Sequence, residues 1–170
     1  GNEVVIEEFL VGPEITIHAL SDGKNYIIFP SSQDHKKIGE GDTGPNTGGV
    51  GAIGPLPFVD EDMMERIKNE IVFPTLQGMA EDGTPFEGIL YPSLMLTQDG
   101  PKIIEFNTRF GDPECQVYMT LLDTDLLEIL NACVDKKLNE VDIKWKKLSA
   151  CNILLCSEGY PGSYEKGKII

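Results

Sequence analysis

Apolar and polar residues alternate with period two in several places near the start of the chain. Residues 4–10 put Val4, Ile6 and Glu8 on one face and Val5, Glu7 and Phe9 on the other, and Gly12-Pro13 breaks the run. Residues 14–20 alternate again, with Ile15, Ile17 and Ala19 together. Asp22-Gly23 is a hairpin signal and residues 26–29 the returning strand. The period changes at Asp60, which can cap a helix over 61–80. Met63, Met64, Ile67, Ile71, Leu76 and Met79 form its apolar face, and Pro74 should kink or split it. A strongly apolar strand follows over 88–97, then a turn and a second strand over 102–106. Two helices are predicted over about 114–122 and 124–136, and another strand over 150–157.

Residues 31–55 break this order. They hold seven glycines and two prolines, which predicts a long functional loop. No apolar run approaches the roughly 18–20 residues that span a bilayer.

Charge narrows the classes. Lys and Arg total 14 against 28 Asp and Glu, net −14. A nucleic-acid duplex or an anionic membrane surface is therefore an unsuitable partner. The acidity is concentrated: residues 1–122 hold 20 acids and 7 bases. The four cysteines show no C-x-x-C spacing and only two histidines could join them. Neither a zinc site nor a disulfide framework is expected, and reduced thiols in a cytoplasmic protein are. The first residues show no basic stretch before an apolar one, so no secretory leader is expected.

Three constellations carry candidate chemistry. In Glu105-Phe106-Asn107-Thr108-Arg109, positions two apart on a strand point the same way, so Glu105 and Asn107 project together. Ile104 and Phe106 would then face a core. A carboxylate and an amide oxygen are hard ligands suited to Mg²⁺, and the Arg109 fork matches phosphoryl oxygens. The second is Gln33-Asp34-His35-Lys36 with Gly41-Asp42-Thr43-Gly44-Pro45-Asn46-Thr47-Gly48-Gly49-Val50-Gly51. Its glycines let backbone N–H groups approach an anion, and Lys36 adds charge. It lacks the Gly-Lys-Ser/Thr of a P-loop and the third glycine of a dinucleotide fingerprint. The third is Glu7-Glu8-Phe9-Leu10 with Glu14, an edge strand with carboxylates. His18 reads as structural, and Lys144, Lys146 and Lys147 as a solvated face.

Together with Gly111-Asp112-Pro113-Glu114 and Gly159-Tyr160-Pro161-Gly162-Ser163-Tyr164, these segments resemble the ATP-grasp superfamily, and within it the phosphoribosylamine–glycine ligase family. The resemblance runs over essentially the whole chain. It implies an α/β (α+β) fold: the C-terminal ATP-grasp lobe over 1–136, a mostly antiparallel sheet packed with helices, and the start of a small C-terminal domain over 137–170. It implies ligation of glycine to 5-phosphoribosylamine with ATP as co-substrate and Mg²⁺ or Mn²⁺ as cofactor.

Carried residue by residue, the resemblance places Glu8 and Leu10 at adenine through the backbone, Glu7 beside them and Glu14 at ribose. Glu105 and Asn107 would hold the metal and Arg109 the transferring phosphoryl group. Asp34, His35, Lys36, Asn46, Thr47, Gly48, Gly49 and Asp112 would shape the phosphate and substrate side. The third acidic metal ligand of many superfamily members has no counterpart in Tyr91-Pro92-Ser93-Leu94-Met95, so two direct ligands are expected. The family's chain is much longer, so this fragment alone is expected to be inactive without the missing N-terminal part. Rival readings are another ATP-grasp carboxylate–amine ligase and a non-catalytic acidic module that binds divalent cations.

Overall fold

The computed structural model describes residues 3–169. Its framework is one long antiparallel pairing. β1 (Glu14–Thr16) and β2 (Ala19–Asp22) run against the same partner strand in one register, from Glu14↔Met95 to Thr16↔Ser93 and from Ala19↔Leu90 to Asp22↔Glu87. The gap between them sits opposite Pro92. The Pro92 carbonyl accepts from the Ile17 N–H (3.3 Å), but proline has no N–H to return. The single strand predicted over 14–20 is thus present with its ladder interrupted. β3 (Tyr26–Ile28) returns beside β2 through a turn held by Asp22, whose Oδ1 accepts from the N–H groups of Lys24 and Asn25.

The glycine-rich stretch is not a bare loop. It forms β4 (Gln33–Asp34), β5 (Lys37–Gly39), β6 (Thr43–Asn46) and β7 (Gly51–Gly54). β5 and β6 make a hairpin, and β4 pairs with β7. Glycine permits this because the chains approach closely: a Cβ on Gly51 would stand 2.7 Å from the Asn152 carbonyl oxygen.

The Asp60 carboxylate caps α1 (Glu61–Ile67), accepting from the Met63 N–H at 2.8 Å. A π-helical turn, Lys68–Val72, leads into α2 (Phe73–Glu81) with Pro74 in its first turn. The wider turn accommodates the missing Pro74 N–H, so the predicted split takes the form of a π-segment in one continuous helical run.

β8 (Glu87–Thr97) lies at the centre of the main sheet, with β1 and β2 on one side and β9 (Gly100–Asn107) on the other. α3 (Glu114–Leu121) and α4 (Leu126–Val134) follow, then a 3₁₀ turn, Leu138–Glu140, and β10 (Ala150–Ile153), which pairs with β7. Both faces of β8 are covered. Ile15, Ile17, Ala19, Leu90 and Leu94 pack against Ile67, Ile71 and Val72 of the first helical run. Leu20, Ile89 and Tyr91 pack against Tyr118, Ile129 and Cys133 of α3 and α4. This double burial explains why β8 reads as a continuous apolar run.

Two expectations fail. Residues 4–10 form no strand, because no ladder partner lies beside them among the described residues, and Ile6 and Phe9 are more than 90% exposed. Ile104 and Phe106 do not enter a core; they are 38% and 43% exposed. Ser93 pairs with Glu105 but Leu94 with Ile103, so Ile104 is the extra residue of a β-bulge and the strict alternation ends there.

Candidate functional site

The face covered by α3 and α4 and the candidate site belong to the same side of the main sheet. Cross-strand partners share a face, so Glu14, Ser93, Met95, Glu105 and Asn107 lie on the side that carries His18 and Tyr91. At one end α3 and α4 cover that face. Beyond Tyr91 it opens, flanked by β4, Lys36 and the Gly111–Glu114 turn.

The covered side of the boundary is a neutral polar network. The Gly111 N–H donates to His18 Nε2 (2.9 Å), which leaves the ring proton on Nδ1 to donate to the Tyr118 hydroxyl (2.8 Å). Tyr118 donates to Ser32 Oγ (2.6 Å), itself 2.8 Å from Thr16 Oγ1. Burial, aided by the positive charge of Arg109, lowers the His18 pKa to about 3, so the ring stays neutral as the structural reading requires. Tyr91 stacks on His18 (ring centroids 4.2 Å apart) and donates to Glu114 Oε1 (2.6 Å). Burial, then the Glu114 carboxylate, hold the proton on Tyr91. This network fixes the turn that presents Asp112 and Glu114.

The open side is charged. Glu14 Oε1 accepts from Lys36 Nζ in an ion pair and from Ser93 Oγ at 3.0 Å. Burial works against the Lys36 charge, but the carboxylates of Glu14, Asp34 and Glu105 outweigh it and raise its pKa. Asp34 Oδ1 is buried with no hydrogen-bond partner among the described residues. Burial, then the charges of Glu114, Glu14 and Asp112, push Asp34 up to about 7 against the opposing pull of Lys36.

Gly49 explains how this carboxyl is enclosed. With φ of +110°, a Cβ there would stand 2.8 Å from Asp34 Oδ1 and 2.6 Å from Pro113 Cδ. Thr47 shapes the loop, donating to the Lys36 carbonyl and accepting from the Gly49 N–H. Asp112 Oδ1 accepts from Gln116. His35 is exposed, its backbone tied to Gly51 and Val50. Asn46 lies on β6 at the cavity wall.

On β9, Asn107 Nδ2 lies 3.0 Å from Glu105 Oε1. Turning the amide over puts Oδ1 in that place. Adjacent ligands of an octahedral ion at 2.0–2.1 Å stand about 2.9 Å apart, so the pair fits two positions on a Mg²⁺-like cation. No cluster of three or more His, Cys, Asp or Glu able to hold a metal occurs among the described residues. Arg109 stands beyond, its Nη1 on the Phe110 carbonyl and its guanidinium 6.0 Å from the Tyr91 ring centroid.

Two cavities meet at Glu14 and Met95 on the open side; Glu105, Asn107 and Arg109 are in the lining of neither. One of about 400 Å³ has Glu7, Glu8 and Leu10 on one side and Ile103 and Ile104 on the other. Lys102 donates to Glu8 across its mouth (3.2 Å). The other, about 1050 Å³, is polar and includes Asp34, His35, Lys36 and Asn46. Phe9, Leu10, Glu14 and Met95 belong to both walls. The sequence reading missed Ser93, Met95, the Ile103–Ile104 pair and buried Glu114. Tyr91 in an otherwise apolar strand was a signal for a buried acceptor.

Comparison with known proteins bears on this arrangement. The sequence model described as "Phosphoribosylglycinamide synthetase, ATP-grasp (A) domain" matches residues 1–115. The phosphoribosylamine–glycine ligase of Brucella melitensis is 52% identical over 170 residues, which is all of this chain and 40% of that enzyme. The crystal structure of phosphoribosylamine–glycine ligase from Thermotoga maritima superposes with a TM-score of 0.75 at 34% identity, over 95% of this chain and 40% of that one. An L-amino acid ligase from Bacillus licheniformis shares the fold, with a TM-score of 0.61 at 19% identity over 89% of this chain and 36% of its own. The chain thus spans about 40% of the length of these two phosphoribosylamine–glycine ligases.

Proposed function

Since the chain belongs to the phosphoribosylglycinamide synthetase ATP-grasp family, we propose that it supplies the metal-binding and part of the nucleotide-binding wall of a longer phosphoribosylamine–glycine ligase. The observation that carries this is the Glu105–Asn107 pair, 3.0 Å apart on the same sheet face as Glu14, which is ion-paired to Lys36. Adenine enters the apolar cavity between residues 7–10 and the two isoleucines of β9. There Glu8 and Leu10 offer backbone groups with no backbone partner among the described residues, and Glu7 flanks them. Glu14, in the wall common to both cavities, turns to ribose. Lys36, Asp34, His35, Asn46, Thr47, Gly48, Gly49 and Asp112 surround the phosphate and substrate side.

In the reaction, ATP phosphorylates the glycine carboxylate, and the 5-phosphoribosylamine nitrogen attacks the glycyl phosphate, releasing phosphate. The product, glycinamide ribonucleotide, belongs to de novo purine biosynthesis. Mg²⁺ or Mn²⁺ held by Glu105 and Asn107 would supply the charge that the transferring phosphoryl group needs. Arg109, two residues beyond Asn107, would add its positive charge to that group, and positioning does the rest. The acidity of the lobe is thereby accounted for: several carboxylates have partners that arrive with the substrates.

The remaining N-terminal part of the enzyme closes the site, and residues 137–170 lead into a further domain. Cys115, Cys133, Cys151 and Cys156 are all free thiols, which suits a reducing, cytoplasmic setting. No helix among the described residues is long and apolar enough to cross a membrane.

The test is an assay of the complete enzyme against alternative acids and amines, beside the 170 residues alone. Glycinamide ribonucleotide formation by the complete enzyme only is expected. No preference for glycine would overturn the substrate assignment, and turnover by the fragment would overturn the split site.

A further inference from the structure

The last part of the chain, outside the stretch that the family model matches, reaches back to the substrate side. β10 pairs with β7 from Ala150↔Gly54 to Ile153↔Gly51, and the Leu154 N–H extends the contact to the Val50 carbonyl (2.9 Å). Six residues later the Gly48 N–H donates to the Tyr160 hydroxyl (3.1 Å). From the same segment, Asn152 Nδ2 donates to the Pro113 carbonyl (3.5 Å). One segment therefore touches both loops that enclose Asp34, the Thr47–Gly49 turn and the Asp112–Pro113 turn.

Tyr160 is itself held in place. Its N–H donates to the Ser157 carbonyl (3.1 Å), Gly162 closes the turn onto Gly159 (2.8 Å), and its ring meets Tyr164 edge-on with centroids 5.9 Å apart. A residue anchored in this way restrains what it touches. The Gly48 N–H has no ladder partner among the described residues, and Gly49 beside it, at a φ of +110°, has no room for a side chain next to Asp34. Thr47 and Val50 on either side are held by backbone bonds to the Lys36 and His35 carbonyls (2.7 and 2.9 Å), and Gly49 by Thr47 Oγ1, so among the described residues Tyr160 is the one restraint on the Gly48 N–H.

We propose that Tyr160 is a positioning residue that fixes the Asn46–Gly49 loop against Asp34, and so sets the affinity for the two substrates other than ATP. The proposal rests on the reading of this loop as the substrate side. Tyr160 is not part of the lining of the adenine cavity, so its influence is expected to be selective.

Steady-state kinetics of the complete enzyme test it with two variants. Tyr160→Phe keeps the ring on Tyr164 and deletes the acceptor. It is expected to raise KM for glycine and phosphoribosylamine about fivefold, the factor for one ordinary hydrogen bond. The KM for ATP, kcat and the melting midpoint should not move. Asn46→Ala tests the underlying reading and is expected to raise the same two KM values. If Asn46→Ala raises them and Tyr160→Phe does not, the positioning role is overturned and the loop assignment stands. If neither raises them, both are overturned. A Tyr160→Phe enzyme in which all three KM values and the melting midpoint shift together also overturns the proposal, since the tether is then general scaffolding.

Discussion

The two ends of one sheet face are built differently. At the covered end, His18, Tyr118, Ser32 and Thr16 pass hydrogen bonds from one neutral group to the next, all buried. At the open end, Glu14, Lys36, Asp34, Glu105 and Asn107 are charged or highly polar, and Asp34 Oδ1 has no partner among the described residues. The same strand, β8, supplies Ile89 and Tyr91 to the first end and Ser93 and Met95 to the second. A satisfied neutral network gains nothing from a ligand. An under-satisfied charged one does, because burying a carboxyl without a partner is costly. The proposed function accordingly lies at the open end, with the covered end as its scaffold.

The contrast can be broken with substitutions. The largest expected effect is at the open end. Glu105→Gln in the complete enzyme should lower kcat by about 100-fold or more, given that even partners behind metal ligands are worth 10–100-fold. The melting midpoint should stay put. A small loss in kcat would remove the metal assignment.

At the covered end the pattern should invert. Tyr118→Phe strands His18 Nδ1–H and leaves Ser32 Oγ with Thr16 alone, and should cost about 1–3 kcal/mol of stability by urea unfolding. Substrate KM values should change little. A variant of full stability but poor activity would place His18 and Tyr118 in the chemistry instead.

The smallest effect lies on the boundary. Asp34 is raised from 3.8 to about 7 in the folded protein. The native state therefore holds more protons than the unfolded one between those values, and stability falls as pH rises through that window. Asp34 is only half-buried, so solvent screening reduces the effect to about 1 kcal/mol. Asp34→Asn should flatten the slope of stability against pH between about 4 and 7. An unchanged slope would show that another group carries it.

Much of the fold was legible because its signals are local. The period-two face of Ile15, Ile17 and Ala19, the Asp60 cap and the apolar run of β8 depend on neighbours along the chain. The failures come from long-range pairing. Nothing near Ile104 announces the bulge, which is set by the register against Ser93 and Leu94. Residues 4–10 have the alternation of a strand but no partner beside them among the described residues. The glycine-rich stretch hid strands because Gly51 and Gly54 serve close chain approach, which composition alone cannot separate from flexibility. In the candidate site, Glu105, Asn107 and Lys36 were legible as residue types in a pattern. Glu114 and Tyr160 were not, since their partners Tyr91 and Gly48 are 23 and 112 positions away.

The most direct test of the open end as a metal–nucleotide half-site is Mn²⁺ binding to the complete enzyme, followed by electron paramagnetic resonance with and without a non-hydrolysable ATP analogue. The account predicts that the enzyme lowers the sharp signal of free Mn²⁺, that nucleotide lowers it further, and that Glu105→Gln restores it. Mn²⁺ binding indifferent to nucleotide and unchanged by that substitution would contradict it.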